Sequence, residues 1–142
     1  MGSDSLSKAE SRYLLDTHTW IWWNMRPEKL SARVRALIGA PARYEELLLS
    51  AISVWEFSKL IEKKRLGISI DPEEWIRTSL EMPKLRLVAI SPIIAYRSTV
   101  LPPPFHEDPA DQILVASARE EHATILTSDQ RIRSYPHVTS LW

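Results

Sequence analysis

YLLDTHTWIWW, residues Tyr13 to Trp23, is the stretch on which the fold turns. Tyr13, Leu14 and Leu15 form a short apolar run, the pattern of a strand buried on both faces, and the run stops on a carboxylate, Asp16. A chain burying a strand gains nothing by ending it on an acid unless the acid has work at the strand's end. The residues that follow start a helix. Trp20, Trp22 and Trp23 cannot all face one way at 3.6 residues per turn, so one or two pack inside and an exposed one would suit a base or a partner's groove. Core packing is expected for Trp22 and for Trp55 further along.

Outward from this stretch, strand and helix patterns alternate. Val34, Leu37 and Ile38 stand at helical spacing within Leu30 to Ile38, and the apolar run Leu47 to Ile52 leads into a helical pattern from Ser53 to about Lys64, with Gly67 as its stop. Asp71-Pro72 opens a helix to about Leu80, Leu85 to Ile90 alternates like a strand, and Ser91-Pro92 opens a helix to about Val100. Pro102-Pro103-Pro104 is an extended connector. A helix is expected over Pro109 to His122, a strand over Ala123 to Ser128, and a last strand over Val138 to Trp142. This alternation implies an α/β fold with right-handed crossovers: a three-layer α/β/α sandwich around a mostly parallel central sheet. In such a sheet the ligand crevice lies beyond the carboxyl ends of the strands.

The bulk properties set the frame. The chain has 142 residues, the size of one domain, read here as residues 12–142 after a flexible tail or expression remnant over residues 1–11. Apolar residues at 44% and charged residues at 25% are ordinary globular composition, with no run long enough to cross a bilayer and no secretory pattern at the start. A cytoplasmic protein without a membrane partner is expected. Cysteine is absent, which excludes disulfides, thiolate metal sites and a cysteine nucleophile, so any metal is held by oxygen or imidazole. Eighteen basic residues balance eighteen acidic ones, so any attraction for phosphate is local.

Four acids fall where the crevice should be. Asp16 and Asp129 end strands, while Glu56 and Asp111 fall in the first turns of helices. Capping competes as an explanation. Ser53-x-x-Glu56 reads as a capping box, and Asp108-Pro109-x-Asp111 reads as a cap with proline at the first helical position. Asp71-Pro72-Glu73-Glu74 shows the same device where no chemistry is suspected. Taken together, however, four converging carboxylates repel one another, and a divalent cation is the usual remedy. Hard oxygen ligands favour Mg²⁺ or Mn²⁺, and Mg²⁺ takes only one or two carboxylates directly. Asp16 is therefore read as a metal anchor.

LLDTHTWIWW, SAISVWEFSKLIEKKRLGI, LPPPFHEDPADQILVASA and TILTSD, in this order, resemble the PIN-domain ribonucleases, and among them the VapC-like toxins of bacterial toxin–antitoxin pairs. The resemblance spans nearly all of Tyr13 to Trp142. It implies a PIN-like sandwich, Mg²⁺- or Mn²⁺-dependent hydrolysis of RNA phosphodiesters with one or two ions, a homodimer, and a co-expressed antitoxin that blocks the site. It places the family's acidic quartet, as catalytic residues and metal ligands, on Asp16, Glu56, Asp111 and Asp129. It makes Thr127 a supporting hydroxyl, and Asp108 an extra acid acting as a cap or from behind the ligands. Gln112 departs from the pattern, because relatives often carry arginine there.

His18 reads first as structural, packed behind Asp16 and bonded to backbone, with donation to a phosphate as the alternative. His106, His122 and His137 show no ligand spacing and read as surface or loop residues. Lys59, Lys63, Lys64 and Arg65 give the Glu56 helix a basic end, which the helix dipole explains without RNA. Arg12, Arg131 and Arg133 lie nearer the strand ends and are the better candidates for phosphate contacts. Two rivals remain: a PIN-like regulatory module without activity, and a phosphatase with a strand-end aspartate nucleophile. The second usually wants an acid two residues after the nucleophile, where this chain has His18.

Overall fold

The computed structural model describes residues 11–142; most of the expected tail lies outside the described residues. Strand β1 (Arg12–Leu15) runs into helix α1 (Thr17–Met25), followed by α2 (Ala32–Ile38), β2 (Glu46–Ser50), α3 (Ala51–Glu62) and α4 (Pro72–Ser79). β3 (Leu85–Val88), α5 (Pro92–Ser98), α6 (Pro109–Glu121), β4 (Thr124–Leu126), α7 (Gln130–Arg133) and β5 (Ser140–Leu141) complete the chain. The five strands form one sheet in the order β3-β2-β1-β4-β5. Every neighbouring pair is parallel.

Strand alternation builds both cores. Leu14, Leu48, Val88 and Ile125 point to one face, against Leu114, Val115 and Ala118 of α6 and Ile94 of α5. Leu15, Leu47, Leu49 and Leu126 point to the other, against Trp20 and Ile21 of α1, Val34 and Ile38 of α2, Phe57 of α3 and Trp75 of α4. The Phe57 and Trp75 rings stack at 4.2 Å, with Trp20 edge-on to both. Burial on both faces is why these strands read as continuous apolar runs and why the architecture has three layers.

Several local expectations change. Ser50, not Ser53, caps α3, its hydroxyl accepting from the Ile52 amide, so there is no capping box and Glu56 falls in the second turn. The helix gives out at Lys63, and Lys64 takes the left-handed backbone conformation expected of Gly67. α7 is a short helix absent from the expected elements, capped by Asp129. Trp20 is fully buried, whereas Trp55 is 57% exposed. Phe57 holds the core side of α3, and two residues along a helix turn Trp55 about 200° away from it.

Candidate active site at the carboxyl edge of the sheet

Asp16 follows directly on the last residue of β1, and its amide donates to the Leu126 carbonyl at the end of β4, so the acid sits between two parallel strand ends. Thr19 Oγ1 donates to the same carbonyl at 2.7 Å, which fixes the first turn of α1 over the sheet edge. Asp16 is both cap and strand-end acid: Oδ1 accepts the Thr17 amide at 2.7 Å, and Oδ2 accepts the Thr127 hydroxyl at 2.6 Å. Asp129 also has both roles. Its own amide donates to Thr127 Oγ1 at 3.0 Å, and its Oδ1 accepts from the Arg131 amide at 2.8 Å. Thr127, fully buried, therefore couples the two acids.

Thr17 provides the corresponding link to α3. Its hydroxyl lies 2.5 Å from Glu56 Oε1 and 2.8 Å from Ser53 Oγ, and both hydroxyl-bearing residues are buried. An ionised carboxylate can only accept, so Thr17 donates to Glu56 while Ser53 donates to Thr17. Asp111 enters from the first turn of α6, where Asp108 accepts its amide at 2.9 Å. His106 Nε2 donates to Asp111 Oδ2 at 2.7 Å, and Gln112 Nε2 ties the His106 carbonyl at 3.2 Å. One guanidinium nitrogen of Arg131 lies 3.3 Å from Asp129 and 3.5 Å from Asp111. Arg131 thus brings beside Asp111 the charge that Gln112 does not carry.

The electrostatics follow from this crowding. Burial pushes the Asp16 carboxyl above its ordinary value, with repulsion from Asp111 adding to it and the Thr127 and Thr17 hydrogen bonds opposing it. Glu56 is raised by burial and then by Asp16, Asp111 and Asp108, against the Thr17 bond. Asp111 is raised by burial and by Asp108 and Asp129, against His106. Asp129 alone is lowered: burial pushes it up, but the hydrogen bonds and charge of Arg131 outweigh that. Asp16, Glu56 and Asp111 each carry repulsion from a neighbouring acid on top of the cost of burial, and Asp129 adds to that on Asp111.

Among the described residues, no three His, Asp or Glu side chains are gathered as the direct ligands of one ion. The donor set suits a hydrated hard cation reached by one or two carboxylates, with the others acting through water, as Mg²⁺ prefers.

Some readings of individual residues need correcting. His18 is exposed and packs beside Trp22, with ring centroids 5.7 Å apart, rather than behind Asp16. His106 belongs to the site, a role that could be suspected only from its place five residues before Asp111. Arg12 begins β1 and pairs with Glu45 and Glu46 at the opposite edge of the sheet, far along the strand from Asp16. Thr17 was missed, although it stands directly beside Asp16 in the sequence.

The structure is a parallel α/β/α sandwich that carries these acids near the carboxyl edge of its sheet. The family comparison makes this specific: the PIN domain model matches residues 13–138, and the chain belongs to the PIN domain family. It is 35% identical over 124 residues, 87% of this chain and 92% of the relative, to "Ribonuclease VapC22" of Mycobacterium tuberculosis. Similar solved structures include VapBC2 from Rickettsia felis bound to a promoter DNA fragment, at 15% identity and TM-score 0.66, covering 92% of this chain and 97% of that one. FitAcB from Neisseria gonorrhoeae has 22% identity and TM-score 0.64, with 92% and 96% covered.

Proposed function

We propose that this chain is an Mg²⁺- or Mn²⁺-dependent endoribonuclease that acts as the toxin of a toxin–antitoxin pair. The observation that carries the proposal is the convergence of Asp16, Glu56, Asp111 and Asp129 at one sheet edge, in a chain 35% identical to a named ribonuclease. Asp16 is the central metal anchor, with Glu56, Asp111 and Asp129 completing the shell directly or through water. A divalent ion held by these carboxylates would supply an acidified water for in-line attack at phosphorus and would shield the leaving oxygen. Thr17 and Thr127 hold Glu56 and Asp16 in orientation, as the partners of metal ligands do. His106 fixes Asp111, and Arg131 is placed to meet a non-bridging phosphate oxygen. Water adds across the P–O3′ bond, leaving 5′-phosphate and 3′-hydroxyl ends.

The antitoxin is assigned to a cleft of about 450 Å³ between α1 and the end of α3, where Trp22, Met25 and Leu66 offer apolar contact under a rim of Arg26 and Lys29. The cleft shares His18, Leu60 and Arg65 with a second groove that reaches Glu56, so a bound segment that extends along both can place a basic side chain beside that acid. A homodimer is supported by Ile93, Tyr96 and Val100, which are 47%, 62% and 53% exposed at helical spacing along α5 and just past its end. Cleavage of single-stranded RNA by purified protein in Mg²⁺ or Mn²⁺, compared with EDTA and with Asp16→Asn, tests the activity. Equal cleavage by the variant would rule out this reading.

A further inference from the structure

Beyond the acids, the same side of the molecule carries a groove of about 300 Å³ that runs from Glu56 and Asp108 past Trp55 and Lys59 to Lys63 and Arg65. We propose that this groove is the path of the single-stranded RNA on one side of the scissile phosphate, with Trp55 as a base-stacking platform and Lys63 and Arg65 as phosphate contacts. The inference rests on the ribonuclease reading and names the side chains that grip its substrate. Trp55, Lys59 and Lys63 recur at four-residue spacing, so they share one face of α3 and its end, next to the turn that carries Glu56. Seven residues of helix put Lys63 about 10 Å along the axis from Glu56.

Three observations favour this assignment over a plain dipole-capping role for the basic end. Trp55 is 57% exposed although it sits beside a well-packed core, and an exposed tryptophan costs apolar hydration unless something covers it. Lys59 lies over the Trp55 ring at 5.8 Å from its centroid and pairs with Glu62 at 2.6 Å, so the indole and the Lys59 ammonium together line the groove at that point. Lys63 and Arg65 are exposed and have no carboxylate within ion-pair distance among the described residues. Acids at one end and exposed cations at the other suit a polyanion whose scissile phosphate meets a metal while its neighbouring phosphates meet lysine and arginine. An aromatic plane between them suits an unstacked base, the form in which RNA sequence is usually read.

The test uses the full chain in EDTA, where cleavage is blocked, with a fluorescent oligouridylate of about a dozen nucleotides and anisotropy as the readout. Trp55→Ala is expected to weaken binding about 5- to 100-fold, with Trp55→Tyr recovering most of it. Lys63→Ala with Arg65→Ala is expected to reduce the slope of log affinity against log salt by about 1.4, two contacts at about 0.7 each. All three positions are exposed, so unchanged thermal unfolding should accompany these losses. Variants that bind as wild type overturn the groove, as does wild-type protein with no salt-dependent affinity. If wild type cleaves RNA in metal but the variants bind normally, the groove fails and the nuclease reading stands. If the groove binds RNA as described but no metal supports cleavage, the nuclease reading fails.

Discussion

Thr127 donates its hydroxyl to Asp16 at 2.6 Å across a sequence separation of 111 residues, and the same oxygen receives the amide of Asp129. One buried hydroxyl thereby sets the position of two acids that follow different strands. The parallel pairing of β1 with β4 makes this possible, because it brings Leu15 alongside Leu126 and so Asp16 alongside Thr127.

Replacing Thr127 with valine keeps the shape and removes that bond. The variant should lose about 1–3 kcal/mol of stability, the cost of leaving buried polar groups without a partner, and about 10- to 100-fold in Mn²⁺ affinity. Thr127→Ser should restore both. Denaturant unfolding and calorimetric Mn²⁺ titration check the pair of expectations.

Glu56 and Asp108 stand close in space but differ in role. Glu56→Gln should lower metal-dependent cleavage by at least about 100-fold, because it removes a candidate ligand and not merely a ligand's partner. Asp108→Asn keeps the cap of α6, since asparagine caps as well as aspartate, and should leave the rate within a few-fold. Initial rates on one RNA at saturating Mg²⁺ distinguish the two.

How much of this could be read from the sequence depended on whether local pattern or long-range contact decided the outcome. The double burial of β1 and β2 was legible because Leu14 and Leu15, like Leu48 and Leu49, leave no polar face. Asp16 at a strand end and Asp111 in a first turn were legible in place because local residue types mark such positions. The start of α3 was not, since the apolar run of β2 flows into it and Ser50 and Ser53 are equally good caps by composition. The exposure of Trp55 depends on Phe57 taking the core against Trp75, a contact from another helix. The His106 to Asp111 bond depends on how a proline-rich loop returns to α6.

Metal-free stability should depend on pH in a defined direction. Asp16, Glu56 and Asp111 hold protons more firmly in the folded protein than in the unfolded chain. The fold therefore loses stability as pH rises from the ordinary carboxylate value through the raised one, and the penalty is fully present above it. In EDTA, the unfolding temperature of wild type should fall relative to that of Asp16→Asn as pH rises from acid to neutral, because the variant lacks this titrating carboxyl. Mn²⁺ should stabilise wild type and leave the variant nearly unchanged. Thermal unfolding across pH, with and without metal, measures all of this.

The apolar stripe on α5 makes a separate prediction. Tyr96→Arg places a charge at the most exposed apolar position and should weaken self-association by about 30-fold or more, as loss of an interface anchor does. Sedimentation at graded concentrations reads the shift, and circular dichroism should show an intact fold.

A crystal of the protein soaked in Mn²⁺ shows most directly, through anomalous scattering, where a hard dication sits. An anomalous peak within coordination distance, about 2–2.5 Å, of an Asp16 oxygen and facing Glu56, Asp111 and Asp129 is the predicted result. A soaked crystal with no peak at this edge, or with its peak at another place on the molecule, would contradict it.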